Sequence, residues 1–297
     1  MKKSTLLKKS ILERRALVMP GAYDCISAKL IEQAGFEALQ VSGFGLSASY
    51  LGKPDVGLLT FTEMVEFTKH IVDSVNIPVM GDADTGFGNA LNARRTTEEF
   101  IKIGCAGMNI EDQVFPKRCG HFEGKRIIPI AEMVLKIRAC KDIVNKLDRD
   151  FVINARTDAI GSPGGTIDEA IKRGNAYASA GADLIFVESP QSIAEIRRAV
   201  ERIDAPVSIN LYDAVKGGKT PLVEIEELKS IGVARVSIPV GPIFAAIKGV
   251  SNYLEAIKGG KLARDRYDLV CSLDYFKEFI GFSEYRELEE HFLPNLR

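Results

Sequence analysis

Tryptophan is absent from the 297 residues, and histidine occurs only three times, at widely separated positions. Zinc bound by a cluster of histidine and cysteine is therefore disfavoured. The five cysteines are an odd number without paired metal-ligand spacing, which indicates reduced thiols in a cytoplasmic protein rather than a disulfide framework. No apolar run approaches the roughly 18 residues of a transmembrane helix, so no membrane partner is expected.

Positive and negative charges are nearly balanced. The net charge of −1 provides no electrostatic basis for nucleic-acid binding. Lys8, Lys9 and Glu13 interrupt the segment that would have to be apolar in a secretory signal. Hydrophobic residues make up 46% of the chain, which is enough for the core of one α/β barrel, a fold that uses roughly 250 residues.

Eight short apolar runs alternate with helix-like segments along the chain. The runs are rich in valine, isoleucine and phenylalanine and lack strict alternation with polar residues, which is typical of parallel strands buried on both faces. The predicted strands cover residues 17–19, 38–41, 78–80, 107–110, 151–154, 184–187, 207–209 and 236–238. The predicted helices cover residues 26–34, 62–72, 97–103, 130–147, 167–180, 193–203, 223–231 and 243–257.

Cap residues support these boundaries. Asp24, Thr166 and Ser192 are predicted helix N-caps. Glycines that suit a left-handed cap follow four of the helices, at Gly35, Gly104, Gly181 and Gly232. About eight strand–helix units predict a (β/α)8 TIM barrel, with a doubly wound open sheet as the alternative. A dinucleotide site is disfavoured because Gly43-Phe44-Gly45 lacks the third glycine of that motif.

We predict a single domain over residues 1–297, with the barrel at about 15–257 and a C-terminal helical extension at about 258–297. The extension carries many aromatic rings, namely Tyr267, Tyr275, Phe276, Phe279, Phe282, Tyr285 and Phe292. It cannot bury these rings alone, so we expect it to pack on the barrel or on a neighbouring subunit.

Polar residues follow nearly every predicted strand. In a barrel these positions meet at the carboxyl ends of the strands, where active sites form. They include Ser42, Gly43, Asp82, Asp84, Glu111, Arg156, Glu188 and Asn210. Asp82, Asp84 and Glu111 offer the oxygen ligands that Mg²⁺ prefers, and Mn²⁺ suits the same ligands. The structural alternatives are that Asp82 stabilises a turn and that Arg156 belongs to a buried network with Asp158 or Glu188.

A short basic segment, Lys117-Arg118-Cys119-Gly120-His121, places a thiol, an imidazole and two cations within five positions. Pro116 precedes it in a segment typical of a loop, and loops on a rigid scaffold often carry chemistry. Neighbouring cations favour loss of the proton from a thiol, so Cys119 is a candidate catalytic residue. The structural alternative is a solvated basic loop with an incidental cysteine.

These motifs together resemble the isocitrate lyase/phosphoenolpyruvate mutase superfamily over about residues 15–250. The resemblance is carried by Val41-Ser42-Gly43, Gly52-Lys53-Pro54-Asp55, Gly81-Asp82-Ala83-Asp84-Thr85-Gly86-Phe87-Gly88, Ile110-Glu111-Asp112-Gln113, the cysteine segment and Ala155-Arg156-Thr157-Asp158-Ala159. It implies an α/β barrel that requires Mg²⁺, sometimes Mn²⁺. It also implies a homotetramer, formed as a dimer of dimers whose last barrel helix is exchanged between subunits.

The resemblance implies roles for single residues. Asp84 would bind the metal directly, with Asp82 and Glu111 acting partly through water. The implied catalytic residues are Cys119, His121, Arg156 and Glu188. The implied substrate-binding residues are Ser42, Gly43, Asp55, Lys117, Gly120 and Asn210. Cys119 would act as the general acid that protonates a carbanion.

The activity implied by the resemblance is retro-aldol cleavage of a carbon–carbon bond in a 2-hydroxy di- or tricarboxylate. The products would be pyruvate or another 2-oxo acid and a carboxylic acid. Phe115-Pro116 is similar to the branch that acts on 2,3-dimethylmalate, other alkylmalates or oxaloacetate. For 2-methylisocitrate, the close alternative, Phe44 replaces a typical glycine, and an arginine for the extra carboxylate is missing near Phe244.

Other activities stay open from the sequence. Oxaloacetate hydrolysis is one, and phosphoenolpyruvate mutase or phosphonate chemistry is another, although Cys119 argues against the latter. A Schiff-base aldolase would use Lys117, but a lysine on a mobile loop is a poor candidate for a desolvated nucleophile. A non-catalytic binding barrel would leave the acidic rim and the basic cysteine loop without a joint purpose.

Overall fold

A computed structural model describes residues 1–120, 124–212 and 219–293. Eight parallel strands form a closed barrel in chain order, and the last strand pairs with the first. Each strand contains or overlaps one of the predicted apolar runs, so the predicted (β/α)8 barrel is confirmed. The strands are β1 Leu17–Ala22, β2 Leu39–Val41, β3 Val79–Asp82, β4 Gly107–Glu111, β5 Val152–Thr157, β6 Leu184–Val187, β7 Val207–Asn210 and β8 Arg235–Ile238.

Helices follow the strands, and all eight predicted helices are present. The helices are α1 Lys3–Leu12, α2 Cys25–Gln33, α3 Gly43–Leu46, α4 Phe61–Ser74, α5 Ala90–Lys102, α6 Ile130–Leu147, α7 Ile167–Ala180, α8 Ile193–Arg202, α9 Ile225–Ile231, α10 Gly241–Lys258, α11 Leu273–Phe279 and α12 Phe282–Phe292. Helix α5 begins seven residues before the predicted start, because the Asn89 side chain accepts hydrogen bonds from the amides of Leu91 and Asn92. Such a cap supplies partners for otherwise unpaired amides.

The predicted cap residues have the expected conformations. The four helix-ending glycines all have positive φ, between 86° and 111°. The Asp24 side chain accepts a hydrogen bond from the amide of Ser27 and caps α2. Thr166 and Ser192 cap α7 and α8 in the same way. These local signals therefore set the lengths of the helices before any packing is considered.

Helix α1 contributes to a buried cluster at the amino-terminal end of the barrel. Leu7 and Ile11 on this helix are buried together with Leu17 and Met19 on β1 and with residues at the starts of other strands, such as Val152. A larger apolar cluster includes residues from the barrel strands and the surrounding helices. The amino-terminal end is therefore filled by apolar packing, and polar side chains gather at the carboxyl ends of the strands.

The chain divides into two compact units, Met1–Pro242 and Ile243–Arg297. In the second unit the rings of Tyr275 and Phe279 stack with their centroids 6.0 Å apart. Tyr267 and Phe292 are at least 70% exposed. The single-domain assignment and the exchange of the last barrel helix between subunits stay predictions. Within the part of the chain that the structure describes, no helix has the length and apolar character needed to cross a membrane.

Candidate active site

A small cavity opens at the carboxyl ends of the strands, and its volume of about 60 Å³ has room for only a few water molecules. Ten of the thirteen predicted site residues line it, and they come from four strand ends, the cysteine loop and Asp55 in the segment between β2 and α4. They are Ser42, Gly43, Asp55, Asp82, Asp84, Glu111, Lys117, Cys119, Gly120 and Arg156. The barrel therefore brings together side chains that are more than 100 residues apart in the chain.

One wall of the cavity is built from the ends of β2 and β3. The amide of Gly43 donates a hydrogen bond to Oδ2 of Asp82, and Oδ1 of Asp82 accepts one from the amide of Asp84. A Cβ atom at Gly43 would lie 2.5 Å from that Oδ2, so only glycine allows this approach. Asp84 has a φ of 45°, in the left-handed region that aspartate tolerates better than most residues.

Lys117 lies deep in this acidic wall. Its Nζ is 2.7 Å and 2.8 Å from the two carboxylate oxygens of Asp55 and 2.8 Å from Oδ1 of Asp84. The Lys117 side chain is only 5% exposed. Burial alone would lower the pKa of Lys117, but the charges of Asp55 and Asp84 raise it well above its ordinary value. The ammonium is therefore charged and serves as the counter-ion of the acidic wall; the predicted role in substrate binding stays a prediction.

The two buried acids at the ends of β3 and β4 hold protons more tightly than usual. Burial raises the pKa of Asp84 to about 7, and the charges of Asp82 and Asp55 add to this rise while Lys117 opposes it. Burial also raises the pKa of Glu111 well above its ordinary value, against the attraction of Arg156. A cation among these carboxylates would restore their ionised forms.

Hydrogen bonds hold the cysteine loop, residues 117–120, at Arg118 and at Cys119 itself. Before it, the Gln113 side chain accepts a hydrogen bond from the amide of Arg118 and donates one to the carbonyl of the same residue. At the thiol itself, the amide of Cys119 donates to the carbonyl of Asp55, at 3.1 Å. His121, a predicted catalytic residue, lies outside the described residues. The backbone hydrogen bond to Asp55 therefore helps to fix the position of Cys119.

Arg156 is the basic centre of the opposite wall. Its guanidinium donates two hydrogen bonds to Asp158 and lies 3.5 Å from Glu111 and 3.6 Å from Glu188. The network predicted from sequence as a structural alternative is therefore present. Glu188 and Asn210 do not line the cavity; Nδ2 of Asn210 is 3.5 Å from Oε2 of Glu188. Asn210 is therefore linked to Arg156 through Glu188, and the predicted contacts of both residues with substrate stay predictions.

Sequence reasoning missed several residues of the cavity and its floor. Gln40, Phe186 and Tyr212 line the cavity, and Lys125 lies beside it, fully buried. Under the floor, the buried Arg235 donates to Ser208 and Gln40, and burial lowers its pKa to about 9. For Gln40 and Arg235 the sequence signal was a polar residue inside an apolar strand, which says nothing about the partner of that residue.

The carboxylate oxygens of Asp82, Asp84 and Glu111 are ligands of the type that a hard divalent cation prefers. Oδ1 of Asp84 and Oε1 of Glu111 are buried and make no hydrogen bond within residues 1–120, 124–212 and 219–293; the approach of Lys117 to Asp84 is an ion pair without hydrogen-bond geometry. In those same ranges, however, no three His, Cys, Asp or Glu side chains are grouped closely enough to hold a metal. Lys117 lies between Asp55 and Asp84 and neutralises part of the charge of these two acids.

Comparison with known protein families identifies the class to which this barrel and cavity belong. Residues 7–258 match the model of the phosphoenolpyruvate phosphomutase family. The chain is 42% identical to 2,3-dimethylmalate lyase of Eubacterium barkeri, with 96% of both chains covered. It is 38% identical to 2-methylisocitrate lyase of Aeropyrum pernix, with 95% of this chain and 89% of that protein covered.

Solved structures give the same relationships. A 2,3-dimethylmalate lyase, described as a PEP mutase/isocitrate lyase superfamily member, has a TM-score of 0.88 at 30% identity and covers 98% of this chain and 95% of its own. Oxaloacetate acetylhydrolase with 3,3-difluorooxalacetate has a TM-score of 0.85 at 30% identity, covering 98% and 97%. Phosphonopyruvate hydrolase with oxalate and Mg²⁺ has a TM-score of 0.86 at 30% identity, covering 99% and 100%.

This protein belongs to the PEP mutase/isocitrate lyase superfamily. The alignments with the two lyases extend over most of this chain and over most of each lyase. They confirm the prediction of a carbon–carbon lyase. The resemblance deduced from sequence motifs is therefore also confirmed.

Proposed function

We propose that this protein is a metal-dependent lyase that cleaves a carbon–carbon bond of a 2-hydroxy dicarboxylate, with 2,3-dimethylmalate and other alkylmalates as the first candidates. The observation that carries the proposal is that the Cys119 thiol lines the same small cavity as Asp84, Glu111 and Arg156. Such a cleavage needs an acid that protonates the carbanion, a cation that binds the substrate carboxylate, and carboxylate oxygens that bind a metal ion.

Arg156 and the strand-end residues Ser42 and Gly43 would hold the carboxylate of the 2-hydroxy acid. When the C2–C3 bond breaks, its electron pair stays on C3, the 2-hydroxyl proton passes to one of the carboxylates that line the cavity, and C2 becomes the 2-oxo carbon. Cys119 gives its thiol proton to C3, and the second product leaves as a carboxylic acid. General acid catalysis of this kind contributes about 10²–10⁴-fold to a rate.

Asp84, with Asp82 and Glu111, would hold Mg²⁺ or Mn²⁺. When bound, such an ion supplies positive charge against the negative charge that develops on the oxygens of the 2-oxo acid. Three observations support this. These side chains offer hard oxygen ligands, and Oδ1 of Asp84 and Oε1 of Glu111 are buried and make no hydrogen bond among the described residues. The structure of phosphonopyruvate hydrolase contains Mg²⁺.

The remaining wall of the cavity favours alkyl substituents over a further carboxylate. Phe44, Phe186, Pro239 and Val240 line the cavity and offer apolar contact, although the cation Arg118 lines it as well. A dimethylmalate would place its methyl groups on this wall. Methylisocitrate, whose third carboxylate would have to enter the same cavity, is the second candidate.

The test is a panel of acids supplied with Mg²⁺: dimethylmalate, citramalate, methylisocitrate, isocitrate, oxaloacetate and phosphonopyruvate, with 2-oxo acid formation and the other products measured. We expect an alkylmalate to give the highest kcat/KM.

Cys119→Ser should lose about 100-fold or more in kcat yet still bind oxalate. Cys271→Ser is the matched control, because Cys271 is exposed and does not line the cavity. Equal turnover by parent and Cys119→Ser would remove Cys119 from the reaction, and preferred turnover of oxaloacetate or phosphonopyruvate would replace the proposed substrate.

The assembly and location are also proposed. Exposed apolar side chains along α10, such as Ile247, Val250 and Leu254, support a homotetramer of helix-swapped dimers, because contiguous exposed apolar surface is typical of interfaces. Light scattering on the purified protein tests this. Five free cysteines support a cytoplasmic location, which fractionation of cells would test.

A further inference from the structure

Lys125 is a buried cation that the proposed chemistry does not use. Its neighbours Gly124 and Arg126 are exposed, whereas Lys125 is only 1% exposed. Its Nζ donates one hydrogen bond to the carbonyl of Gly120, at 2.7 Å, and one to Oδ1 of Asp158, at 2.8 Å. A buried ammonium is costly unless its partners compensate it, so its position calls for an explanation.

Neutralisation of Asp158 explains only part of this position. Arg156 already donates to both carboxylate oxygens of Asp158, and a bidentate pair of this kind satisfies a carboxylate well. Lys125 adds a further hydrogen bond to Asp158 and, unlike Arg156, also donates one to the carbonyl of Gly120. Gly120 follows Cys119 directly, so Lys125 links the backbone of the cysteine loop to the Arg156–Asp158 pair.

The fit around Gly120 is tight. A Cβ atom there would lie 2.6 Å from Nη2 of Arg156 and 2.6 Å from Oε1 of Glu188. The backbone next to Cys119 therefore rests directly on the basic wall of the cavity. A second glycine makes room for the lysine: a Cβ at Gly161 would lie 2.5 Å from Nζ of Lys125 and 2.6 Å from its Cε. Gly120 thus leaves space for Arg156 and Glu188, and Gly161 leaves space for the end of the Lys125 side chain.

We propose that Lys125 is a positioning residue that holds the Cys119–Gly120 backbone against Arg156 and thereby fixes the place of the thiol in the cavity. The activity part of this proposal rests on the proposed function; the positional part does not. Small displacements of a reacting group are enough to lower a rate by about 10²-fold. Release of the Gly120 carbonyl would therefore reduce turnover although every group that touches the substrate remains.

Two variants perturb the contact independently. Lys125→Met removes the ammonium and keeps the length of the side chain. Gly161→Ala keeps the lysine but puts a methyl group 2.5 Å from its Nζ, so the flexible end of the Lys125 side chain has to move. Lys136→Met is the matched control, because Lys136 is also a buried lysine that donates to a backbone carbonyl, that of Thr85, outside the cysteine loop.

The primary measurement is the rate at which iodoacetamide alkylates Cys119, followed by peptide mass analysis without substrate. We expect Lys125→Met and Gly161→Ala to change this rate by about fivefold or more, as local release of a segment does. Lys136→Met should lower the melting temperature but leave the rate unchanged. Should Lys125→Met fail to fold, Gly161→Ala decides the matter alone.

The second measurement is steady-state kinetics on the acid that the parent cleaves. We expect Lys125→Met to lower kcat about tenfold to 100-fold with little change in KM, because the reacting group is misplaced while the substrate contacts remain. Unchanged alkylation in both variants overturns the proposal, whatever the kinetics show. If the parent cleaves none of the acids, the proposed function fails and the alkylation rates still decide the role of Lys125.

Discussion

Lys117→Met is the perturbation that tests the acidic wall most directly. The substitution removes the ammonium from between Asp55 and Asp84, whose side chains are 7% and 5% exposed. Removal of one partner from a buried ion pair costs about 3–5 kcal/mol, because the remaining charge stays buried. For a domain of this size, that loss corresponds to a melting temperature lower by about 10 °C.

The loss of stability caused by Lys117→Met should depend on pH. Burial raises the pKa of Asp84 to about 7, above its value in the unfolded chain, so the folded state binds the proton more tightly. Stability therefore falls as the pH rises from the unfolded pKa to the folded one. Without Lys117, which opposes the shift, the folded pKa rises further. The difference in free energy of unfolding between parent and variant should grow from pH 6 to pH 8.5.

Urea unfolding at both pH values, with and without Mg²⁺, provides the assay. Mg²⁺ should stabilise the variant more than the parent, since a divalent cation can neutralise the acids that Lys117 no longer pairs. Lys136→Met is the control, because its hydrogen-bond partner is a carbonyl rather than a carboxylate. A loss for Lys117→Met that is equal at both pH values, with no larger response to Mg²⁺ than the control shows, would refute this reasoning.

Two further predictions concern the walls of the cavity. Gly43→Ala should raise KM about tenfold, because its Cβ would meet Oδ2 of Asp82 at 2.5 Å and displace that carboxylate; Gly249→Ala, with no atom within 4 Å, is the steady-state control and should leave KM unchanged. For Asp158, burial opposes ionisation, but Arg156 and a buried lysine outweigh it and lower the pKa. The ionised Asp158 therefore stabilises the fold above its unfolded pKa, and this stabilisation is lost as the pH falls below that value. We expect Asp158→Asn to lower the free energy of unfolding by about 3 kcal/mol at neutral pH, measured by urea unfolding, and by less in acid. A loss that is constant between pH 7 and pH 3 would contradict this.

The local features of the fold could be read from the chain because they arise from neighbouring residues. Gly181 ends α7 with a φ of 111°, a conformation that side chains disfavour. Ser192 caps α8 through the amide of Glu195. Strand ends were visible in the same way, and polar residues such as Arg156 could be assigned to the rim from their position in the repeat alone.

The partners of the charged side chains were decided by the closed barrel. Lys117 reaches Asp55 across 62 residues and Lys125 reaches Asp158 across 33, and no periodicity in the chain encodes either pairing. Glu188 was placed on the rim by the sequence, but its pairing with Arg156, at 3.6 Å, is a through-space contact. Local propensity and capping act over a few residues, so the sequence by itself determined the strands, the helices and the residues of the rim. Burial and the ion pairs act through space after the barrel closes, so only the tertiary structure decided which cation neutralises the acids and what holds Cys119 in place.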